Sequence, residues 1–125
     1  MIVTNPAAQA VFNAEKMGKV SLAAGDHLFA GLNCFLPGQQ HAPHVHANQD
    51  KLYLILEGAG TASVGGEEKD VAAGDLVFAP AGVEHGLRNF GGTNLVALVV
   101  FSSPRPAQPA RGKCENDQAD VPSSG

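Results

Sequence analysis

The chain is poor in the residues that mark several large protein classes. Its 125 residues include no tryptophan, one tyrosine, two methionines and two cysteines, and only 16% are charged. Eight lysines and arginines stand against twelve acids, for a net charge of −4. So few and scattered cations leave no footprint for a phosphate backbone or an anionic lipid surface. Neither nucleic acid nor a membrane is expected as a partner. No apolar run approaches the length of about 18 residues that a spanning helix requires. The opening residues, Met1 to Val11, lack the positive and apolar regions of a secretory signal, so a cytoplasmic location is the expectation. The two cysteines, Cys34 and Cys114, do not form a Cys-x-x-Cys pair. A zinc knuckle or thioredoxin-like site is therefore unsupported, and two free thiols in a reducing compartment are expected.

What remains is an ordinary globular composition, 44% apolar, at a length suited to one domain. The bulky apolar residues fall almost entirely before residue 102. Residues 102–125 hold four prolines, and Val121 is their only aliphatic side chain larger than alanine. Such a segment buries too little surface to offset its ordering entropy, and a disordered tail is expected there. Residues 1–18 form an N-terminal segment. Asn5-Pro6 reads as an N-cap followed by proline at the first helical position, which admits a short helix.

From Gly25-Asp26 onward glycine and proline punctuate the chain, at Pro37-Gly38, Gly58-Ala59-Gly60, Gly65-Gly66, Gly74-Asp75, Pro80-Ala81-Gly82 and Gly91-Gly92. Between the later turns lie short β-prone runs, Leu52–Leu56, Thr61–Val64, Leu76–Ala79 and Leu95–Phe101. Short strands at regular spacing predict an all-β sandwich or barrel. Gly65-Gly66 is a two-residue hairpin signal between Thr61–Val64 and Glu67–Val71.

The informative polar residues are histidines. His44-Val45-His46 places two imidazoles on one face only if the segment is extended, where residues i and i+2 lie roughly 6.5–7 Å apart at Cα. Pro43 favours that conformation in its neighbours. Neutral imidazole is the commonest protein ligand for a metal near neutral pH. His41 has the opposite parity and is expected to face away. His27 lies near a turn, and Glu84 and Arg88 are expected to face outward beside His85.

Two blocks resemble the sequence motifs of the cupin family. The first runs Gly38-Gln39-Gln40-His41-Ala42-Pro43-His44-Val45-His46 and continues through Leu52 to Gly58. The second is Gly74-Asp75-Leu76-Val77-Phe78-Ala79-Pro80-Ala81-Gly82-Val83-Glu84-His85-Gly86-Leu87-Arg88-Asn89, and it matches the family pattern at every specified position. The resemblance implies a double-stranded β-helix, the jelly-roll or cupin barrel, over residues 19–101. In metal-binding members two histidines and a glutamate of the first motif, with the histidine of the second, ligate one divalent ion. By position the histidines are His44, His46 and His85, and the ion is Fe, Mn, Ni or Zn.

The resemblance fails at the acid. Lys51 stands where the family usually has glutamate, and its neighbour Asp50 should face the other way on a strand. An ammonium about 4 Å from an ion is repelled by about 4 kcal/mol per unit charge at an effective dielectric of 20. Lys51 therefore turns away, stays neutral through burial, or belongs to a cationic pocket without metal. Tyr53 shares its parity and should also face inward, so Lys51 and Tyr53 are the candidate catalytic residues.

Three functions follow as expectations. The first is a metal-dependent enzyme of dioxygenase-like type, acting on a small anionic metabolite through three histidines. The second is a non-catalytic small-molecule-binding protein. The third is a metal-free isomerase or epimerase in which Lys51, His85 or Tyr53 moves protons. Exposed sheet edges and the family's habits make a homodimer the expected assembly.

Overall fold

A computed structural model describes residues 1–102. The expected tail, apart from Ser102, lies outside the described residues, as does Cys114.

Among the described residues nine strands follow in chain order: β1 (Gly18–Ala24), β2 (Leu28–Phe35), β3 (Gln40–His44), β4 (Lys51–Glu57), β5 (Ala59–Val64), β6 (Glu67–Ala72), β7 (Leu76–Ala79), β8 (His85–Arg88) and β9 (Leu95–Ser102). They form two antiparallel sheets, of order β1-β2-β9-β4-β7 and β3-β8-β5-β6. The all-β jelly roll read from the sequence is therefore the fold. Each expected β-prone run lies on a strand. The Gly65-Gly66 hairpin is also present: Val64 pairs with Glu67, and both glycines adopt positive φ, 58° and 88°. A two-residue hairpin turn with both central residues at positive φ suits glycine because any Cβ is strained there.

The N-terminal segment differs from expectation. Pro6–Gln9 forms a single 3-10 turn and no α-helix. Asn5 sits in the left-handed region (φ 49°) and its side chain caps nothing. Proline sets the start of the turn, but the following residues are drawn to tertiary contacts instead of a helical ladder. Ala7, Ala10 and Phe12 pack on the outer face of the five-stranded sheet, with Leu32, Cys34 and Val96 beneath them. This cover explains why β2 ends in five consecutive buried residues and not in alternation. Cys34 is a buried free thiol.

The inner face follows the period of two. On β4, Lys51, Tyr53 and Ile55 are buried while Leu52, Leu54 and Leu56 are only partly so. In register with them stand Phe101, Val99 and Ala97 of β9. Phe35, Leu87, Leu95 and Val77 complete the barrel core. The same parity carries Asn33 of β2 inward and puts Lys19 of β1 on the same side of the sheet, where it stays exposed, since Lys19 pairs with Asn33 and Asn33 with Ala97.

Candidate metal centre

Two local features aim the imidazoles. Strand β3 ends at His44, so His46 lies just past the strand in a loop. The pair still converges: the His44 and His46 ring centres are 4.8 Å apart. His85 opens β8 directly opposite His44 in the β3–β8 pairing, with ring centres 4.3 Å apart. The potential ligand atoms of His44, His46 and His85 all lie within 4.8 Å of one another. Tetrahedral zinc needs nitrogens about 3.4 Å apart, so the rings would draw slightly inward around an ion.

The second feature is a β-bulge. His41 pairs with Leu87 and His44 with His85, so three steps along β3 match two along β8. The extra residue changes the parity of everything before it. His41 consequently faces the same side as His44, their ring centres 4.1 Å apart, contrary to the simple alternation expected of an unbroken strand. Gly86 lies across from the bulge. A Cβ there would come within 2.9 Å of the His41 carbonyl oxygen and 3.0 Å of the Pro43 nitrogen. Glycine is what allows β3 to bulge against β8.

The hydrogen bonds suit the site to a cation. His44 Nδ1 lies 2.8 Å from the Ala42 carbonyl oxygen, and His85 Nδ1 lies 2.9 Å from that of Val83. Each Nδ1–H donates, which leaves the lone pair on Nε2. Both Nε2 atoms are buried and have no hydrogen-bond partner among the described residues. This is the arrangement in which a carbonyl fixes the tautomer of a metal-ligating histidine. Burial, followed by the neighbouring positive charges, lowers the His46 pKa to about 4. Burial outweighs the carbonyl bond at His44, which also falls to about 4, and lowers His85 as well. The rings are neutral at physiological pH, as ligands must be.

Lys51 turns inward. It is 1% exposed, its Nζ has no hydrogen-bond partner, and that atom lies 4.8 Å from the centre of the Tyr53 ring. Burial, and then the charge of Lys19, lowers its pKa to about 7. Of the outcomes open from the sequence, turning away is thus removed. Asp50 is exposed, and its Oδ1 accepts a bond from the Ala81 backbone N–H, so it braces a loop and does not supply the missing carboxylate. Tyr53 is fully buried with its hydroxyl unpartnered, 6.4 Å ring to ring from His85. Burial raises its pKa above the usual phenol value. His27 and Glu84 are exposed, and Arg88 pairs with Glu68 at 2.8 Å.

Sequence reasoning missed two residues besides His41. Asn33 is buried inside the barrel with its Nδ2 unpartnered. Lys19 sits beside it across the β1–β2 pair. A polar residue within the run Gly31-Leu32-Asn33-Cys34-Phe35 was the available signal for the first. The parity of β1 could reveal the second only once its pairing is known.

Comparison with known proteins places this geometry. The crystal structure of TT1209 from Thermus thermophilus superposes with a TM-score of 0.79 at 40% identity, covering 85% of this chain and all (100%) of that one. An uncharacterised protein of Streptomyces coelicolor is 36% identical over 78 residues, 62% of this chain and 72% of its own length. The oxalate-binding protein of Thermotoga maritima is 34% identical over 65 residues, 52% of this chain, and the match spans 54% of that protein's length. The Cupin domain family profile matches residues 31–101, which include both motif blocks and all three histidines. With that match, and with the barrel that carries these residues, the chain belongs to the cupin family.

Proposed function

We propose that the protein holds a divalent metal ion on His44, His46 and His85 and binds a small organic acid beside it. The observation that carries this reading is the pair of buried Nε2 atoms on His44 and His85, each left without a partner by a tautomer-fixing carbonyl. Three protein ligands leave coordination positions open to a ligand. A bound ion would supply Lewis acidity to a ligand oxygen. The chain's own contribution is a set of buried donors, Lys51 Nζ, Tyr53 OH and Asn33 Nδ2, none with a partner among the described residues. Buried donors are costly unless satisfied, and a carboxylate satisfies several together. Lys51 in place of an acid favours an anion there. The similarity to an oxalate-binding protein points to the same ligand class.

The test is elemental analysis of untagged protein, followed by calorimetric titration with oxalate. About one metal per chain is expected, with oxalate binding that is lost in His44→Ala. Protein without metal, whose oxalate affinity His44→Ala leaves unchanged, would refute the reading. Oxygen uptake or turnover by the metal-loaded protein decides between a dioxygenase-like enzyme and a binding protein.

Lys51 favours a second reading. An amine whose pKa lies at about 7 is suited to moving a proton without metal, as in an isomerase or epimerase. Solvent deuterium entering a substrate after chelator treatment would support it. The proposed assembly is a homodimer through β7, an edge strand whose Leu76 and Phe78 are exposed beside the partly buried Leu52 and Leu54. Sedimentation of Phe78→Lys as a monomer, against a dimeric parent, is the expected result.

A further inference from the structure

Lys51 opens β4 between Ala79 of β7 and Phe101 of β9, at the position where the first motif lacks its acid. Its Nζ is buried and has no hydrogen-bond partner among the described residues. The buried polar side chains there are Asn33, Gln49, Lys51, His85 and Asn89, so no buried carboxylate stands near to pair with it. Asp50, its neighbour in sequence, is exposed and already accepts from the Ala81 N–H. The amine is also close to the three imidazoles. After burial, its charge is the strongest influence against protonation of the His46 ring, and it acts on His85 as well. An ammonium suits this place poorly, because it is costly to bury unpaired and is repelled by an ion on the histidines. Burial favours the uncharged amine, and an uncharged amine is nucleophilic.

We propose that Lys51 is a modification site for carbon dioxide, and that its carbamate supplies the carboxylate which the three-histidine centre lacks. The Nζ lone pair attacks the carbon of carbon dioxide and forms an N–C bond. One C=O π pair moves onto oxygen, and one Nζ proton leaves to solvent. No oxidant or reductant is consumed. The side chain becomes an anion with a carboxylate oxygen, a ligand type that divalent ions accept. Attraction to the ion then replaces repulsion. Tyr53, whose ring centre lies 4.8 Å from Nζ, offers its unpartnered hydroxyl to the new oxygens. The inference rests on the proposed metal centre and adds a regulator to it. Without carbon dioxide the amine is a donor for the carboxylate of an organic acid. Once the carbamate forms that donor is gone, so carbon dioxide strengthens metal binding and weakens organic-acid binding.

The test measures the zinc affinity of untagged protein by competition with a chelator, in buffer freed of carbon dioxide and in buffer equilibrated with it. Carbon dioxide should raise the affinity of the parent about tenfold or more and leave that of Lys51→Met unchanged. It should lower the oxalate affinity of the metal-loaded parent severalfold. Lys51→Glu carries its carboxylate from the start and should bind zinc equally in both buffers. NMR with isotope-labelled bicarbonate reads the modification directly, as a carbamate signal that the parent shows and both variants lack. Signals from other amines are common to all three proteins and cancel. A zinc affinity in the parent that carbon dioxide does not change overturns the carbamate, as does a change of equal size in Lys51→Met or a labelled signal that persists undiminished in both variants. Failure of the centre has a different signature: zinc affinity that His44→Ala leaves unchanged while the carbamate signal of Lys51 remains.

Discussion

Among the described residues two asparagines are buried in the barrel, and their surroundings differ completely. Asn89, at the end of β8 away from the histidines, is 0% exposed. Its Nδ2 donates to the Phe35 and Thr93 carbonyls at 3.1 and 2.9 Å, and its Oδ1 accepts from the Gly91 N–H at 3.0 Å. Asn33 is nearly as buried, yet its amide nitrogen has no partner. The contrast extends to the regions around them. Near Asn89 the barrel core is closed by Phe35, Leu87 and Leu95. Toward the histidines, Lys51, Tyr53, His44 and His85 all bury polar atoms that find no hydrogen-bond partner among the described residues. One end uses its buried polar groups to hold the fold together, whereas the other keeps them available.

The largest test of that contrast is Asn89→Ala. It removes three hydrogen bonds and strands buried carbonyls, for a loss of about 3 kcal/mol. Denaturant unfolding should show the loss, while the folded fraction keeps its metal stoichiometry. A stability change under about 1 kcal/mol would mean that Asn89 is not a brace.

Acid is the next probe, because the histidine end has buried groups to protonate. Burial lowers His44 and His46 to about 4, against 6.5 when unfolded. Between those values the unfolded chain binds more protons than the folded one, so stability falls as pH is lowered. The contribution is complete above about pH 6.5 and is lost on approach to pH 4. His41, lowered to about 2 chiefly by burial and then by the Lys51 charge, extends the loss further. The rings of His44 and His46 are only partly enclosed, so solvent screening reduces the total to about 2 kcal/mol. Thermal unfolding of metal-free protein from pH 8 to pH 4 measures it. A flat profile would remove the distinction between the two ends.

The fold was legible in the sequence because its signals are local. Gly65-Gly66 dictates a tight turn, and Leu52–Leu56 is a short β-prone run that falls on β4. The three histidines were legible because the motif spacing fixes them relative to Gly38, Gly58, Gly74 and Asn89. His41 was not, since a bulge is a property of two strands together: the close approach of Gly86 to Pro43 permits it, and residues 41–44 alone do not show it. Lys51 could be placed on the inner face by parity, but whether it stayed there depended on how much burial lowers its pKa. The N-terminal helix failed for a related reason. Asn5-Pro6 is a valid start signal, and packing of Ala7, Ala10 and Phe12 on the sheet overrode it.

Lys51→Met tests the polar end directly. Methionine keeps much of the side-chain volume and removes an amine whose Nζ is buried without a hydrogen bond. Replacing a buried ionisable group by an apolar one commonly stabilises, and a gain of about 1 kcal/mol is expected in the metal-free protein. Oxalate affinity should fall with it. Stabilisation without any loss of oxalate affinity would show that Lys51 is not a ligand contact.

Tyr53→Phe asks the same question with the smallest change. The ring stays in the core against Val77 and Val99, so packing is preserved. Only the hydroxyl is removed, and it has no partner. A bonded tyrosine loses about 1 kcal/mol on such a change, whereas an unbonded one regains the cost of desolvation. Metal-free Tyr53→Phe should therefore unfold at the same temperature as the parent or slightly above it, within about 0.5 kcal/mol. Its oxalate affinity should fall severalfold, because the hydroxyl is held for the ligand. If the variant is instead less stable by 1 kcal/mol or more, the hydroxyl braces the fold as Asn89 does, and Tyr53 moves from the open end of the comparison to the closed one.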